Sequence, residues 1–528
     1  MSNNKNVIVI GAGPNGLVAA TYLARAGRQV LVLERRQCVG GVAVTEELIP
    51  GFHFSSCSDG LSGYLAPEIV ADFKLADRGL EIVPADPLVA SPQPDGRCLR
   101  IWRDPAKTAA EIEPFSSADA ARYPEFVKYI TELAKIVGEL MRITPPDLPE
   151  VTFQDLKNLY GLSKPLRSAS RKSLVEFGRV LPMPAADLLN EWFESPELKG
   201  ALATNGVRSM TWGPQEAGTA FLLLHRWAVA GGLPRSGDFV KGGIGRLTEA
   251  LADAARSAGC EIRTGATVAS VTMSAGRASG VTMADGSTES ADIVVSSADP
   301  RHTFSELVDP GLLPASFGQH VRNIKFRGSA ARVHLALRSE PVFQALGADG
   351  GSKGVGHIQI APSMNYIQKA YDPVKYGAMS ERPYLDLSIP SLVDSSLAPG
   401  GGHTLSVTVQ YAPYRIAGGW DEEKRSRLLE TVLRTLSEYA PGLRETVVDS
   451  VVFTPADLET RYGLPEGNLH HGEMTLDQVN FMRPIPGYAR YATPIEGLYL
   501  CGAGSHPGGC LTGLPGSNAA RQILSGRP

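Results

Sequence analysis

Short apolar runs and longer apolar periodicities alternate along the chain, and their order predicts an α/β protein. Residues 6–10, NVIVI, form a continuous apolar run that predicts a buried strand. LVAATYLARAG (17–27) follows with a helical pattern whose small residues permit close packing, and QVLVLE (29–34) predicts a second strand. Residues 110–200 carry helical patterns broken by PPDLPE (145–150), SKP (163–165) and LPMP (181–184), which predicts an inserted, largely helical region. FVKGGIGRLTEALADAARSAGCEIRTGATVASV (239–271) predicts a glycine turn, an amphipathic helix and a strand. ASGVTMADGSTESADIVVSSADP (278–300) adds a hairpin turning at Asp285-Gly286 and another apolar strand. Alternating runs over 330–345 and 403–412, with SMNYIQKAYDP and LDLSIPSL, predict a second sheet. LYLCGAG (498–504) predicts a strand, and GLPGSNAARQIL (513–524) a helix.

Between the first strand and the first helix lies GAGPNG (11–16), the turn of a β-α-β dinucleotide fingerprint. Gly11 permits the tight turn, Gly13 lets backbone approach a pyrophosphate, and Gly16 lets the helix pack closely on the sheet. Pro14 and Asn15 open that helix, where free N–H groups attract phosphate. Glu34 ends the second strand, placed to accept the ribose hydroxyls of an adenosine; this disfavours a 2′-phosphate and makes NADP the poorest fit. ERRQCVGGVAVT (34–45) extends the motif beyond what a simple nicotinamide domain needs. Gly40 and Gly41 supply a second flexible backbone stretch for an extended FAD, with Arg35 or Arg36 as nearby positive charge. Residues 262–268 bring backbone towards the adenine, with Val268 as the candidate. At the far end, Gly502, Gly504, Ser505 and the segment Gly513, Leu514, Pro515, Gly516 place glycines and a helix N-terminus where a flavin ring needs close backbone and positive potential.

Size and composition narrow the setting. A chain of 528 residues is too long for one ordinary core, and two or three domains are expected. The formal net charge is -4 with no basic stripe, so nucleic acid is not an expected partner. The six cysteines include no CxxC pair, which argues against disulfide chemistry or structural zinc and fits a reducing compartment. MSNNK runs straight into the first strand with no secretory leader, and no run of about 18 apolar residues exists. A cytoplasmic protein is expected. FLLLHRWAVAGG (221–232) is the most lipid-like stretch, and offers peripheral membrane contact or a pocket wall.

GAGPNGLVAATYLARAGRQVLVLERRQCVGG, KGGIGRLTEALA and GLYLCGAGSHPGGCLTGLPGSNAA together resemble the phytoene desaturase-like family of FAD-dependent oxidoreductases. HHGEMTLDQVNFMRPIPG (470–487) narrows the resemblance to the pyridine nucleotide-disulfide oxidoreductase domain-containing protein 2-like branch. The resemblance implies a Rossmann-type FAD-binding domain beside a substrate domain of mixed sheet and helices. The chain then divides into a first FAD-domain segment (1–110), a helical and substrate-domain segment (111–235), a second FAD-domain segment (236–305), a substrate-binding segment (306–480) and a C-terminal FAD-domain segment (481–528). It implies FAD as cofactor, Gly11, Gly13, Gly16 and Glu34 as nucleotide contacts, and the 502–516 stretch as a second flavin-binding motif.

The expected reaction is hydride transfer from an apolar, polyene-like substrate to flavin N5, with the terminal electron acceptor unspecified. His506, inside SHPGG, is the catalytic candidate, as a proton carrier or as a loop anchor. His225, Arg226 and His471 are candidates for substrate contact, the first two for a polar or anionic end. Arg483 offers a flavin or substrate contact, or a structural ion pair. His470 and His471 are adjacent with Glu473 nearby, but no further clustered ligand completes a site, and no metal is expected. Flavin-dependent isomerisation, amine oxidation and a flavin-bearing interaction or regulatory protein stay open as alternatives. Monomer and homodimer are equally compatible with the sequence.

Overall fold

The computed structural model describes residues 6–58, 65–145, 170–235, 237–347 and 354–526. Among these, the strands Leu498–Leu500, Ile293–Ser296, Asn6–Ile10, Gln29–Leu33 and Glu261–Arg263 stand in that order in a five-stranded sheet. Every neighbouring pair in it is parallel. The apolar run at 6–10 is continuous because both faces are covered. Val7 and Val9 pack with Leu17, Val18 and Leu23 of the helix Pro14–Arg25 and with Leu247 and Leu251 of the helix Gly245–Ser257. Ile8 and Ile10 point the other way, into Val271 and Val281 of the hairpin Val268–Met283. Chain segments from both termini and the middle therefore close one core.

A second, mixed sheet of seven strands runs in the order Val447–Phe453, Ala330–Leu337, His403–Gln410, Tyr384–Ser388, His357–Ile360, Val89–Pro92 and Cys98–Ile101. All its pairs are antiparallel except His357–Ile360 beside Val89–Pro92. Residues 89–101, expected in the first FAD-domain segment, thus pair into the other sheet. The helices Ser117–Arg142, Arg171–Val180, Ala185–Trp192, Pro196–Val207 and Thr219–Val229 form the insert. Pro184 separates the second and third of them as the 181–184 breaker predicts; PPDLPE beyond Pro145, and SKP, lie outside the described residues.

SMNYIQKAYDP is a correction. It forms the helix Met364–Tyr371, started by the Ser363 hydroxyl, which accepts a hydrogen bond from the N–H of Tyr366 at 3.1 Å. The cap and the apolar spacing of Ile367, Ala370 and Tyr371 outweigh the strand-like run. The helix Thr219–Val229, carrying the lipid-like stretch, is interior: Leu223, Leu224 and Trp227 have no exposed surface. No helix of the described residues is long and apolar enough to cross a membrane.

Candidate flavin and substrate site

A cavity is lined by residues from both sheets and the loops around them. One wall comes from the carboxyl ends of the parallel strands: Ile10, Gly11, Gly13, Pro14, Asn15, Glu34, Arg35, Ser297 and Asp299. Gly41, Thr267 and Val268 extend it. The other wall carries Ser209, Arg226, Arg332, Leu469, His470, His471 and the loop Gly509–Leu511.

The 11–16 turn has the geometry of a nucleotide cradle. Gly11 sits at φ +94°, and a Cβ on it would lie 2.5 Å from Ser297 Oγ. A Cβ on Gly16 would lie 2.1 Å from the carbonyl oxygen of Gly11, so the helix reaches the strand only with glycine there. Gly13 is different: nothing lies within 4 Å of its Cβ position, and the opening faces the cavity. The helix Pro14–Arg25 has no side-chain cap and no acid in its first turn. Its N–H groups and dipole stay available for an anion.

Glu34 is buried, with Oε2 accepting from the N–H of Ala12 at 2.8 Å and Oε1 from that of Arg36 at 2.9 Å. Each oxygen keeps acceptor capacity for a ribose hydroxyl. Arg36, also in the wall, holds the second glycine turn by donating to the Gly41 carbonyl at 3.1 Å, and pairs with Glu46 at 2.7 Å. Gly40 packs behind Gly41, at φ +121°. Val268 begins its strand beside Ala266, whose N–H donates to the Glu34 carbonyl at 2.8 Å. Asp299 lines the cavity, caps a short turn by accepting from the His302 N–H at 2.9 Å, and burial pushes its carboxyl up to about 6.

The C-terminal glycines shape the wall from behind. None of Gly502, Gly504, Ser505 or the segment Gly513–Gly516 lines the cavity. A Cβ on Gly502 would lie 2.3 Å from the Ser297 carbonyl, and one on Gly516 2.1 Å from the Asn15 carbonyl. The helix Leu514–Ser525 consequently packs directly on the first helix, with Leu514 and Pro515 buried. Gly509 does line the cavity, 2.3 Å (as a Cβ) from His470 Nδ1.

His506 and His225 also stand outside the cavity wall. His506 Nε2 lies 3.0 Å from the carbonyl oxygen of Leu140, and burial pushes its pKa down to about 4. Burial, then Arg226, lowers His225 to about 3. His471 lines the wall and is lowered to about 4, by burial and then by Arg483; His470 is lowered well below its ordinary value by burial, Arg226 and Arg483. These imidazoles are neutral at pH 7. Arg483 is not in an ion pair among the described residues: it donates to the backbone carbonyls of Glu473, Gln478, Gly472 and Ala503, stapling the 470–484 loop to the turn that follows the strand Leu498–Leu500. Glu473 pairs with Arg327 at 2.5 Å. No group of three or more His, Cys, Asp or Glu among the described residues is placed to hold a metal ion.

Several wall residues lack a sequence signal. Ser209 and Cys510 take positive φ, and only the folded loops reveal their exposure to the cavity. Arg332 had one: a charge within the apolar run AARVHLAL. A flavin dinucleotide fits this chemistry. The cradle is open at Gly13, and Asn15 Oδ1, both ring nitrogens of His470 and Nδ1 of His471 are buried in the wall without a hydrogen-bond partner.

Comparison with known proteins agrees. Residues 15–526 match the family described as flavin containing amine oxidoreductase. The sequence is 38% identical to pyridine nucleotide-disulfide oxidoreductase domain-containing protein 2 of Rattus norvegicus, over 98% of this chain and 93% of that protein. It is 26% identical to a lycopene-forming phytoene desaturase of Pantoea ananas, over 98% of each chain. A redesigned putrescine oxidase shares the fold, with a TM-score of 0.60 at 16% identity over 99% of each chain. The chain belongs to the flavin containing amine oxidoreductase family and is a flavin-dependent oxidoreductase of organic substrates.

Proposed function

We propose that the protein is an FAD-dependent dehydrogenase or desaturase, of the phytoene desaturase-like type, that removes hydrogen from a carbon of an organic molecule with an apolar body. The observation that carries this reading is the continuity of the cavity, which joins a dinucleotide cradle to a second wall that sets Leu469 and Leu511 beside the neutral His470 and His471. In this reading Gly11, Gly13, Pro14 and Asn15 receive the diphosphate, Glu34 the ribose and Val268 the adenine. Arg35 and Gly41 border the cofactor's middle, and His470, Gly509 and Leu511 face its reactive end. When bound, FAD supplies the acceptor for the hydride leaving the substrate carbon. The chain's own groups orient the substrate and exclude water.

The wall disfavours a cationic amine as substrate. Tyr462 is the one phenol or benzene ring among the described lining residues, so no aromatic cage is formed, while Arg226 and Arg332 place positive charge there. Mass spectrometry of product separates the remaining readings. Dehydrogenation lowers substrate mass by two hydrogens and consumes one acceptor per turnover. Unchanged mass with rearranged double bonds would establish isomerisation instead.

His506 acts as an anchor in this account. His506→Gln, which still donates to the Leu140 carbonyl, should cost about 1 kcal/mol of stability at most. Flavin content and the pH profile of substrate-dependent flavin reduction should stay as in the parent. A rate loss on the order of 10²-fold or more, with loss of a pH inflection, would assign it the proton instead.

A further inference from the structure

We infer that the substrate carries a carboxylate and that Arg226 recognises it, an inference that rests on the substrate reading above. Arg226 sits on the buried helix Thr219–Val229, is itself 9% exposed, and lines the cavity. Its Nη2 donates to the carbonyl of Arg208 at 2.6 Å, and among the described residues its Nη1 has only the weak acceptor Cys510 Sγ, at 4.0 Å. No carboxylate of the described residues lies within ion-pair distance of it. A guanidinium keeps its proton even where burial works against the charge, so this corner of the cavity holds an uncompensated cation.

The acids nearby are committed elsewhere. Asp386 is held by Arg235, by Arg208 at 2.9 Å and by His357 at 3.2 Å. In the cavity wall, Glu34 accepts from two backbone N–H groups and Asp299 from a third. The surrounding His225 and His470 are neutral and offer no negative charge. A buried unpaired cation is unfavourable, and a ligand that brings an anion removes the penalty. The planar fork of arginine matches a carboxylate with two parallel hydrogen bonds. The 11–16 turn is not what Arg226 faces: the charged and polar groups that act on it include Arg208, Arg235, Tyr384, Cys510, His225 and His470, and the diphosphate cradle lies on the opposite wall. Leu469 and Leu511 nearby suit the apolar body of an organic acid.

An anionic oxygen has a second source, the reduced flavin, and the test separates the two. The FAD-loaded oxidised protein is titrated calorimetrically with acetate, hexanoate and phenylacetate, and with the neutral amide of each. At least one acid should bind 10-fold or more tightly than its amide. Arg226→Gln should reduce that acid to the affinity of the amide, and Arg226→Lys should keep part of the preference. Equal affinities for every acid and amide pair in the parent protein overturn the inference, whatever the variants do. An acid preference that survives in Arg226→Gln also overturns it; if that variant then shows a lowered flavin reduction potential, the cation serves reduced flavin. Flavin content, read from visible absorbance, distinguishes the failures. Bound flavin without acid preference refutes this inference alone, and absence of flavin refutes the underlying reading.

Discussion

Gly16→Val should yield a protein that neither folds stably nor retains flavin. The Cβ that any substitution adds meets the Gly11 carbonyl oxygen at 2.1 Å, and both partners are backbone. Relief requires the helix Pro14–Arg25 to move off the sheet, which displaces the cradle at the same time. The expected destabilisation exceeds about 3 kcal/mol, the upper part of the usual range for overpacking. Gly13→Ala is the informative partner. Gly13 has an extended backbone that alanine adopts freely, and its Cβ enters open cavity. That variant should melt within a few degrees of the parent while retaining at most about a tenth of its flavin after gel filtration, a loss of roughly 1.4 kcal/mol or more in affinity. Flavin absorbance per polypeptide and a thermal melt check both. Full flavin occupancy in Gly16→Val would remove the 11–16 turn from the site.

The second large effect is expected at Asp386. Its carboxylate, on the strand Tyr384–Ser388, binds Arg208 and Arg235 from the helical insert and His357 from the neighbouring strand, all of them buried. Asp386→Asn leaves buried guanidinium groups around a neutral amide and should cost about 3–5 kcal/mol. Burial pushes the Asp386 carboxyl up, but Arg235, Arg208 and His357 more than reverse this and hold it well below the usual range. A depressed folded-state pKa means the stabilisation is present above the ordinary aspartate pKa of about 4 and fades as pH falls below it. Thermal melts from pH 7 to pH 3 should therefore show a constant gap between parent and variant down to about pH 4 that narrows below it, closing only as pH falls through the depressed folded-state pKa. A gap that is constant with pH would show that the charge is not what holds the insert.

Much of this was legible in the sequence, for identifiable reasons. The parallel sheet is announced by NVIVI, whose unbroken apolarity follows from burial on both faces, and by glycines whose steric need is local. Gly11, Gly13, Glu34 and Val268 could be placed because strand, turn and helix fix their positions within a few residues. The second wall could not be placed this way. Arg226 and Cys510 are 284 positions apart in sequence, and their meeting depends on how the insert docks. The glycines at 502–516 predict a close backbone approach, placed at the flavin ring because local pattern carries no sign of which chain segment lies against them. The structure puts Asn15 and Ser297 against Gly516 and Gly502. Serine at position 363 was the missed local signal, since its capping turned an apparent strand into a helix.

The central claim is tested most directly by an anaerobic visible spectrum of the purified, FAD-reconstituted protein during addition of an organic substrate panel that includes the acids above. The account expects oxidised flavin bands near about 375 and 450 nm, bleached by one substrate class with matching loss of two hydrogens in the product. A protein that binds no flavin after reconstitution, or holds it without any substrate bleaching the bands, would contradict it.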